Sequence, residues 1–176
     1  MYVNLYFKKK GEKMKIKGID FYSAANFTRS TQFIGHEGQD IIKVNDHMGV
    51  TPYDQSSGVE WGCYPTELGS GCKSQTDGAT NTSYILSHCT ERPIAASVCA
   101  DYGDGNWYLP AIDELEILYN NRSNINNIAD SNFVSTFYWS STEFYSYGAY
   151  TVSFFNGYTN TIYKDNIYYV RCVRTF

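Results

Sequence analysis

Residues 144–163 constrain this chain more than any other stretch. They read FYSYGAYTVSFFNGYTNTIY, without a single Lys, Glu, Gln, Met or Trp. Part of the run alternates: Tyr150, Val152 and Phe154 fall on one face of a strand, and Thr151, Ser153 and Phe155 on the other. Asn156-Gly157 then reads as a hairpin turn. A second strand follows, in which Tyr158, Asn160 and Ile162 share a face. Any one of these tyrosines is explained as an ordinary strand former. The whole set is not, because one face of a small sheet cannot bury everything. Tyr beside Ser, Gly and Asn is the chemistry of a paratope, with rigid amphipathic anchors and adaptable hydrogen-bonding groups between them. On this pattern Tyr150, Val152 and Phe154 face the core.

The 176 residues fit one domain, and 43% hydrophobic content supports a packed core. A net charge of −4 and a pI near 5.3 argue against nucleic acid as a partner. The lysines at positions 8, 9, 10, 13, 15 and 17 read as a solvated N-terminal arm. No apolar run approaches a transmembrane span, so membrane insertion is not expected. The first twenty residues lack the apolar core and cleavage site of a signal peptide. Export by another route, a leader outside this sequence, or departure on a particle would each account for that. The cysteines are Cys63, Cys72, Cys89, Cys99 and Cys172. None forms a Cys-x-x-Cys pair, so no metal site is expected, and the odd count leaves one thiol free if disulfides form.

Residues 1–40 are read as an arm with strands, including one within residues 14–22, and residues 40–176 as the main domain. Gln32-Phe33-Ile34, Ile41-Ile42-Lys43-Val44 and Met48-Gly49-Val50 are short strands. Residues 52–58 read as a loop, Val59-Glu60-Trp61 as a strand, and residues 63–80 as a long Gly/Ser/Thr-rich excursion. Residues 83–89 form a helical piece capped by Asn81 or Thr82. A second piece starts at Pro93, with Ile94, Ala95, Val98, Cys99 and Tyr102 on one face. A third starts at Pro110 and buries Leu115, Leu118 and Tyr119, before an Asn-rich loop over residues 120–132. Strands, then helices, then strands give an α+β class. Trp107, Leu109, Leu115, Leu118, Trp139, Val152, Phe154 and Val170 are the expected core.

Catalytic constellations are weak. His36, His47 and His88 are scattered, and His88 beside Cys89 points in a different direction on a helix. Asp101-Tyr102-Gly103-Asp104-Gly105-Asn106 departs from the calcium-loop pattern and reads as a turn. No Gly-x-Ser-x-Gly elbow is present. Asn26, Asn81 and Asn121 open glycosylation sequons, which are frequent by chance.

Several ordered motifs together carry a resemblance. They are Asp54-Gln55-Ser56-Ser57-Gly58 with Trp61-Gly62-Cys63, Ala95-Ala96-Ser97-Val98-Cys99, and Trp107-Tyr108-Leu109-Pro110 with Asp113-Glu114-Leu115. Tyr138-Trp139-Ser140-Ser141-Thr142-Glu143 and Val170-Arg171-Cys172-Val173-Arg174 complete the set. Over roughly residues 40–176 the chain resembles the C-terminal domain family of the Legionella collagen-like adhesin, which includes variable proteins of diversity-generating retroelements. Many members carry Arg where Tyr108 stands, and Ser or Thr where Ala111 stands. The missing Ala111 cap implies a cost of about 1 kcal/mol. The Glu-Pro-Asn and Trp-Asn-Asp motifs of true C-type lectins are missing, so calcium-dependent sugar binding does not carry over.

The resemblance implies a C-type-lectin-like fold with two main helices and small antiparallel sheets. It implies a non-catalytic display protein without cofactor, such as a phage receptor-binding protein or bacterial surface adhesin. Such a protein acts extracellularly, at a cell surface or on a virion. Its partner would be a protein or cell-surface ligand, and a homo-oligomer fits because phage fibre proteins are often trimers. Adenine mutagenesis of Asn codons cannot create Lys, Glu, Gln, Met or Trp, which matches residues 144–163 within a variable segment 144–169. The ligand-binding residues are then Tyr145, Tyr147, Thr151, Ser153, Phe155, Tyr158, Asn160 and Ile162. The first helix and terminal strand of such a fold are neighbours, which implies a Cys99–Cys172 disulfide. Cys63 with Cys89 is a second pairing, which would leave Cys72 free. The alternatives are an enzyme like the formylglycine-generating oxidases, which need a reactive cysteine pair, and a structural cap on a fibre.

Overall fold

Short runs of β-branched and aromatic residues, cut by Gly, Asp and Asn, become strands here, and the apolar-periodic stretches between them become helices. The computed structural model describes residues 32–36, 39–128 and 132–176. The lysine cluster, Asn26 and the strand expected within residues 14–22 lie outside the described residues.

One sheet is wholly antiparallel. It orders β1 (Gln32–His36), β2 (Gln39–Lys43), β3 (Met48–Val50) and β9 (Val173–Thr175) as β1-β2-β3-β9. The Asn45 side chain accepts from the His47 and Met48 amides, both at 2.9 Å, and so turns β2 into β3. The second sheet contains β4 (Ser56–Val59), β5 (Phe137–Tyr145), β6 (Gly148–Ser153), β7 (Thr159–Tyr163) and β8 (Tyr168–Val170). Its order is β4-β8-β5-β6-β7, with β5 and β8 parallel and the other neighbours antiparallel. Gly157 closes the β6–β7 hairpin at φ 81°, and a Cβ there would lie 2.3 Å from the Tyr119 ring. Glycine is required on both counts.

Three helices, at the three expected places, complete an α+β fold: the longer α1 (Gly78–His88) and α3 (Ile112–Asn126), and the short α2 (Ala95–Ala100). α1 begins before the expected Asn81 or Thr82 cap, because Asp77 accepts from the Thr80 amide at 2.9 Å. α3 runs through half of the expected Asn-rich loop. Its buried Ile125 keeps the last turn on the core despite the low helix propensity of its asparagines. Ala111 caps α3 without a side-chain acceptor. Thr142 supplies one instead, its Oγ1 accepting from the Ile112 amide at 3.0 Å, while the Gln75 carbonyl accepts from Asp113. The expected cost of the missing cap is therefore offset by groups from outside the helix.

The second sheet separates two cores. Trp61, Ile85, Cys99, Leu109, Trp139, Ala149 and Val170 belong to one. Leu115, Leu118, Tyr138, Val152, Phe154 and Val173 belong to the other. All eight residues expected in the core are buried, and Tyr150 is half-buried against the second core. The alternation along β6 therefore divides core from core, and not core from solvent. Thr151 is 0% exposed and Ser153 6%, which corrects the expectation that they display outward. Disulfides join Cys99 to Cys172 and Cys63 to Cys89, with Cα atoms 5.4 and 5.8 Å apart, and leave Cys72 free and buried.

Candidate functional site

β5 is the part that positions everything else. The Trp139 indole donates to the Val59 carbonyl, and the Trp61 indole to the Ser140 carbonyl, both at 2.9 Å. The Ser141 amide donates to the Pro110 carbonyl, and the Thr142 hydroxyl to the Ser74 carbonyl. These four residues thus tie three segments, at residues 59–61, 74 and 110, to β5. The pairing of β5 with β6 shifts register between Trp139 and Glu143, so the side chains there depart from strict alternation.

Glu143 and Lys164 bracket the aromatic stretch, one on each side of residues 144–163, and meet inside the protein. Lys164 Nζ lies 2.6 Å from Glu143 Oε1, with both side chains fully buried. Lys164 Nζ also donates to the Thr66 carbonyl and sits 4.6 Å from the Trp61 ring centroid. The Glu143 carboxylate accepts from the Leu68 and Gly69 amides at 2.8 and 3.0 Å. One desolvated ion pair, with its remaining valences filled, therefore anchors both ends of the aromatic segment and the loop before α1.

That loop carries Tyr64, beside a Cys63 held at φ 53° by its disulfide and by the Glu91 carboxylate, which accepts from the Cys63 amide. Tyr64 contacts Tyr147 and Tyr163 edge-on, with centroids 5.6 and 6.3 Å apart. Tyr147 contacts Tyr145 at 6.0 Å, Tyr145 contacts Phe144 at 4.9 Å, and Phe144 contacts Tyr150 at 5.3 Å. Six rings thus touch in sequence, and five of them are exposed. Burial, the nearby Asp165 carboxylate and the neighbouring tyrosines together push the Tyr64 hydroxyl pKa up.

The expected binding residues divide into three groups. Tyr145 and Tyr147 join this surface at the β5–β6 turn. Phe155 and Tyr158, 77% and 70% exposed, lie at the β6–β7 turn, the other end of β6. Asn160 is exposed on β7 and Ile162 is half-buried against the first core. Thr151 and Ser153 lie inside. Tyr64 is absent from the expected set, since it sits more than eighty residues from its ring partners Tyr147 and Tyr163 and has no local signal. Phe144 and Tyr163 lay inside the aromatic run but matched no face of the alternation.

Other groups with chemical potential are spent internally. Cys63, Cys89 and Glu91 lie close enough to share a metal ion, but the two sulfurs are bonded to each other. Burial and the Glu143 carboxylate push the Cys72 thiol up to about 12, which keeps it protonated. The Asn81 amide donates to the Ser74 carbonyl and to Ser141 Oγ in a fully buried site, so its sequon is not open to glycosylation. Arg171 is buried against Asp54 at 2.7 Å, and the Tyr138 hydroxyl donates to the same carboxylate.

Residues 50–174 match the family model described as the Lcl C-terminal domain. No curated protein matches the chain.

Proposed function

This chain belongs to the Lcl C-terminal domain family, and from that premise we propose that it is a non-catalytic recognition domain acting at a cell or virion surface. Its fold is C-type-lectin-like, and the diversified positions lie within residues 144–169, with the buried Lys164 as a fixed member of that segment. The observation that carries the reading is the run of touching, exposed rings from Phe144 through Tyr145, Tyr147 and Tyr64 to Tyr163. Aromatic anchors of this type dominate interface energies. Here they stand on a base fixed by a buried ion pair, so little ordering entropy is lost on binding. Phe155 and Tyr158 offer a second exposed pair at the β6–β7 turn, the other end of β6, with Asn160 on β7 between the two ends. Thr151 and Ser153 support from within and make no ligand contact. The protonated, buried Cys72 favours this reading over a formylglycine-generating type of enzyme.

The test is a binding screen of the purified protein against whole bacterial cells and a panel of extracellular proteins. The reading expects a partner whose binding falls at least tenfold in a Tyr145→Ala/Tyr147→Ala or Phe155→Ala/Tyr158→Ala variant with unchanged thermal unfolding. Binding indifferent to both variants would remove it. The gene offers an independent check: an adjacent adenine-rich template repeat and reverse transcriptase are expected.

A further inference from the structure

We propose that Tyr64, Tyr147 and Tyr163, with Asp165 beside them, form a subsite for a cationic side chain, arginine above all, on a protein ligand. The proposal rests on the recognition function above and names the chemistry of its ligand.

Charge is the first argument. Residues 50–174 carry thirteen Asp and Glu against six Lys and Arg. All six cations are engaged within the domain. Lys164 and Arg171 are buried against Glu143 and Asp54, and Lys73 and Arg174 pair with Glu67 and Asp104. Arg92 donates to the carbonyls of Leu86, Cys89 and Glu91, and Arg122 to that of Tyr119. The cation next in sequence to Tyr163 and Asp165 is Lys164, and it is turned inward and neutralised. Asp165 is exposed and forms no ion pair among the described residues.

The second argument is the domain's own use of its rings. Four of the six cations lie over an aromatic face: Arg122 over Tyr119 at 3.8 Å, Arg171 over Phe133 at 4.3 Å, Lys164 over Trp61 at 4.6 Å and Arg174 over Trp107 at 5.5 Å. Tyr64, Tyr147 and Tyr163 have no such partner among the described residues. They meet edge-on, at 61° and 78°, so the rings stand as walls and do not stack into one plate. Ring faces are negative and attract a cation most when water is excluded. The Asp165 carboxylate lies near enough to Tyr64 to push its hydroxyl pKa up, which places a negative charge at the rim of these rings. An arginine fits this combination best, because its flat guanidinium stacks on a ring while its N–H groups reach a carboxylate. An anionic polysaccharide would meet repulsion at the same place.

The experiment selects a random peptide library on phage against the intact protein. Peptides dependent on Tyr145 and Tyr147 are kept, then remade with each Arg changed to citrulline, which keeps the shape and removes the charge. The proposal expects Arg or Lys to be enriched, and citrulline to weaken binding about three- to thirtyfold. Asp165→Asn and Tyr64→Ala should weaken it similarly, Tyr64→Phe should not, and added salt should reduce it. Tyr64→Phe keeps the ring and reads out binding even if Tyr64→Ala disturbs the loop. Selected peptides without a cation, or indifferent to citrulline, would overturn the subsite and leave the recognition function standing. A library that yields nothing dependent on the aromatic surface would overturn both.

Discussion

Val152 and Ser153 are neighbours on β6 that point to opposite faces, and both faces are covered. A display strand would tolerate a charge on one face and not on the other. Here Val152→Asp and Ser153→Asp should each destabilise by about 3 kcal/mol or more, since each buries an unpaired carboxylate. Asn160→Asp on the exposed strand should stay within about 0.5 kcal/mol. Denaturant midpoints of the three variants decide between a central strand and a display strand. Glu114 makes a second prediction at this scale. It accepts from the Ala111 and Gly78 amides and from the Tyr108 hydroxyl, with no cation paired to it among the described residues. Burial raises its pKa, as it does that of Asp54. A carboxyl whose pKa is raised by folding holds its proton more tightly in the folded state. Its contribution is full below the ordinary carboxylate range of about 4 and is lost as pH climbs through the raised value. The melting temperature should therefore rise as pH falls from neutral toward the ordinary carboxylate range, and Glu114→Gln should flatten that rise. Below about 4 the trend should reverse. Asp77 is held low by its bonds from Thr80, and protonating it removes the α1 cap.

Among the elements, the β6–β7 hairpin is the one whose local chemistry and tertiary role agree most closely. Asn156-Gly157 sets the turn as expected, although Thr151 and Ser153 of the strand before it lie inside. α1 shows the opposite lesson. Its Asp77 cap and Thr80 partner are a local signal, but the Gly/Ser/Thr-rich context hides it among residues that read as loop. α3 continues into the Asn-rich stretch that reads as loop, because its last turn buries Ile125. The loop before α1 depends on an element far away in sequence. Lys164→Met should leave the Glu143 carboxylate buried without a counter-charge, at a cost of about 3–5 kcal/mol. The loss should appear first where Glu143 holds the chain. Hydrogen exchange at the Leu68 and Gly69 amides should accelerate before exchange in β5 does. Uniform acceleration across the domain would mean that the pair is part of the global fold and not a clasp for the loop.

At the scale of the whole molecule, the Cys99–Cys172 disulfide ties α2 to the segment between β8 and β9, across 73 residues. Closing so long a loop restricts the unfolded chain, and the loss of the bond should cost about 3–5 kcal/mol. Unfolding of Cys99→Ala/Cys172→Ala in denaturant, against the parent with and without reductant, measures this. The Cys63–Cys89 bond closes a shorter loop at the rim of the aromatic surface. Its removal should affect Tyr64 before it affects the core. The disulfides accord with an oxidising, extracellular setting for a domain of this family.

The sequence alone determined the α+β class, the eight core residues, the hairpin turn and the family, because these follow from local periodicity, turn chemistry and ordered motifs. It also marked residues 144–163 as the unusual segment. Only the tertiary structure decided which of those side chains reach solvent. Alternation with period two says that neighbours face opposite ways, and is silent on whether the second face meets water or another core. Here it meets another core, so Thr151 and Ser153 go inside, and the exposed rings gather at the turns. Tyr64 joins them because Glu143 and Lys164 pull its loop against the hairpin, and a contact between residues so far apart leaves no periodic trace in the chain.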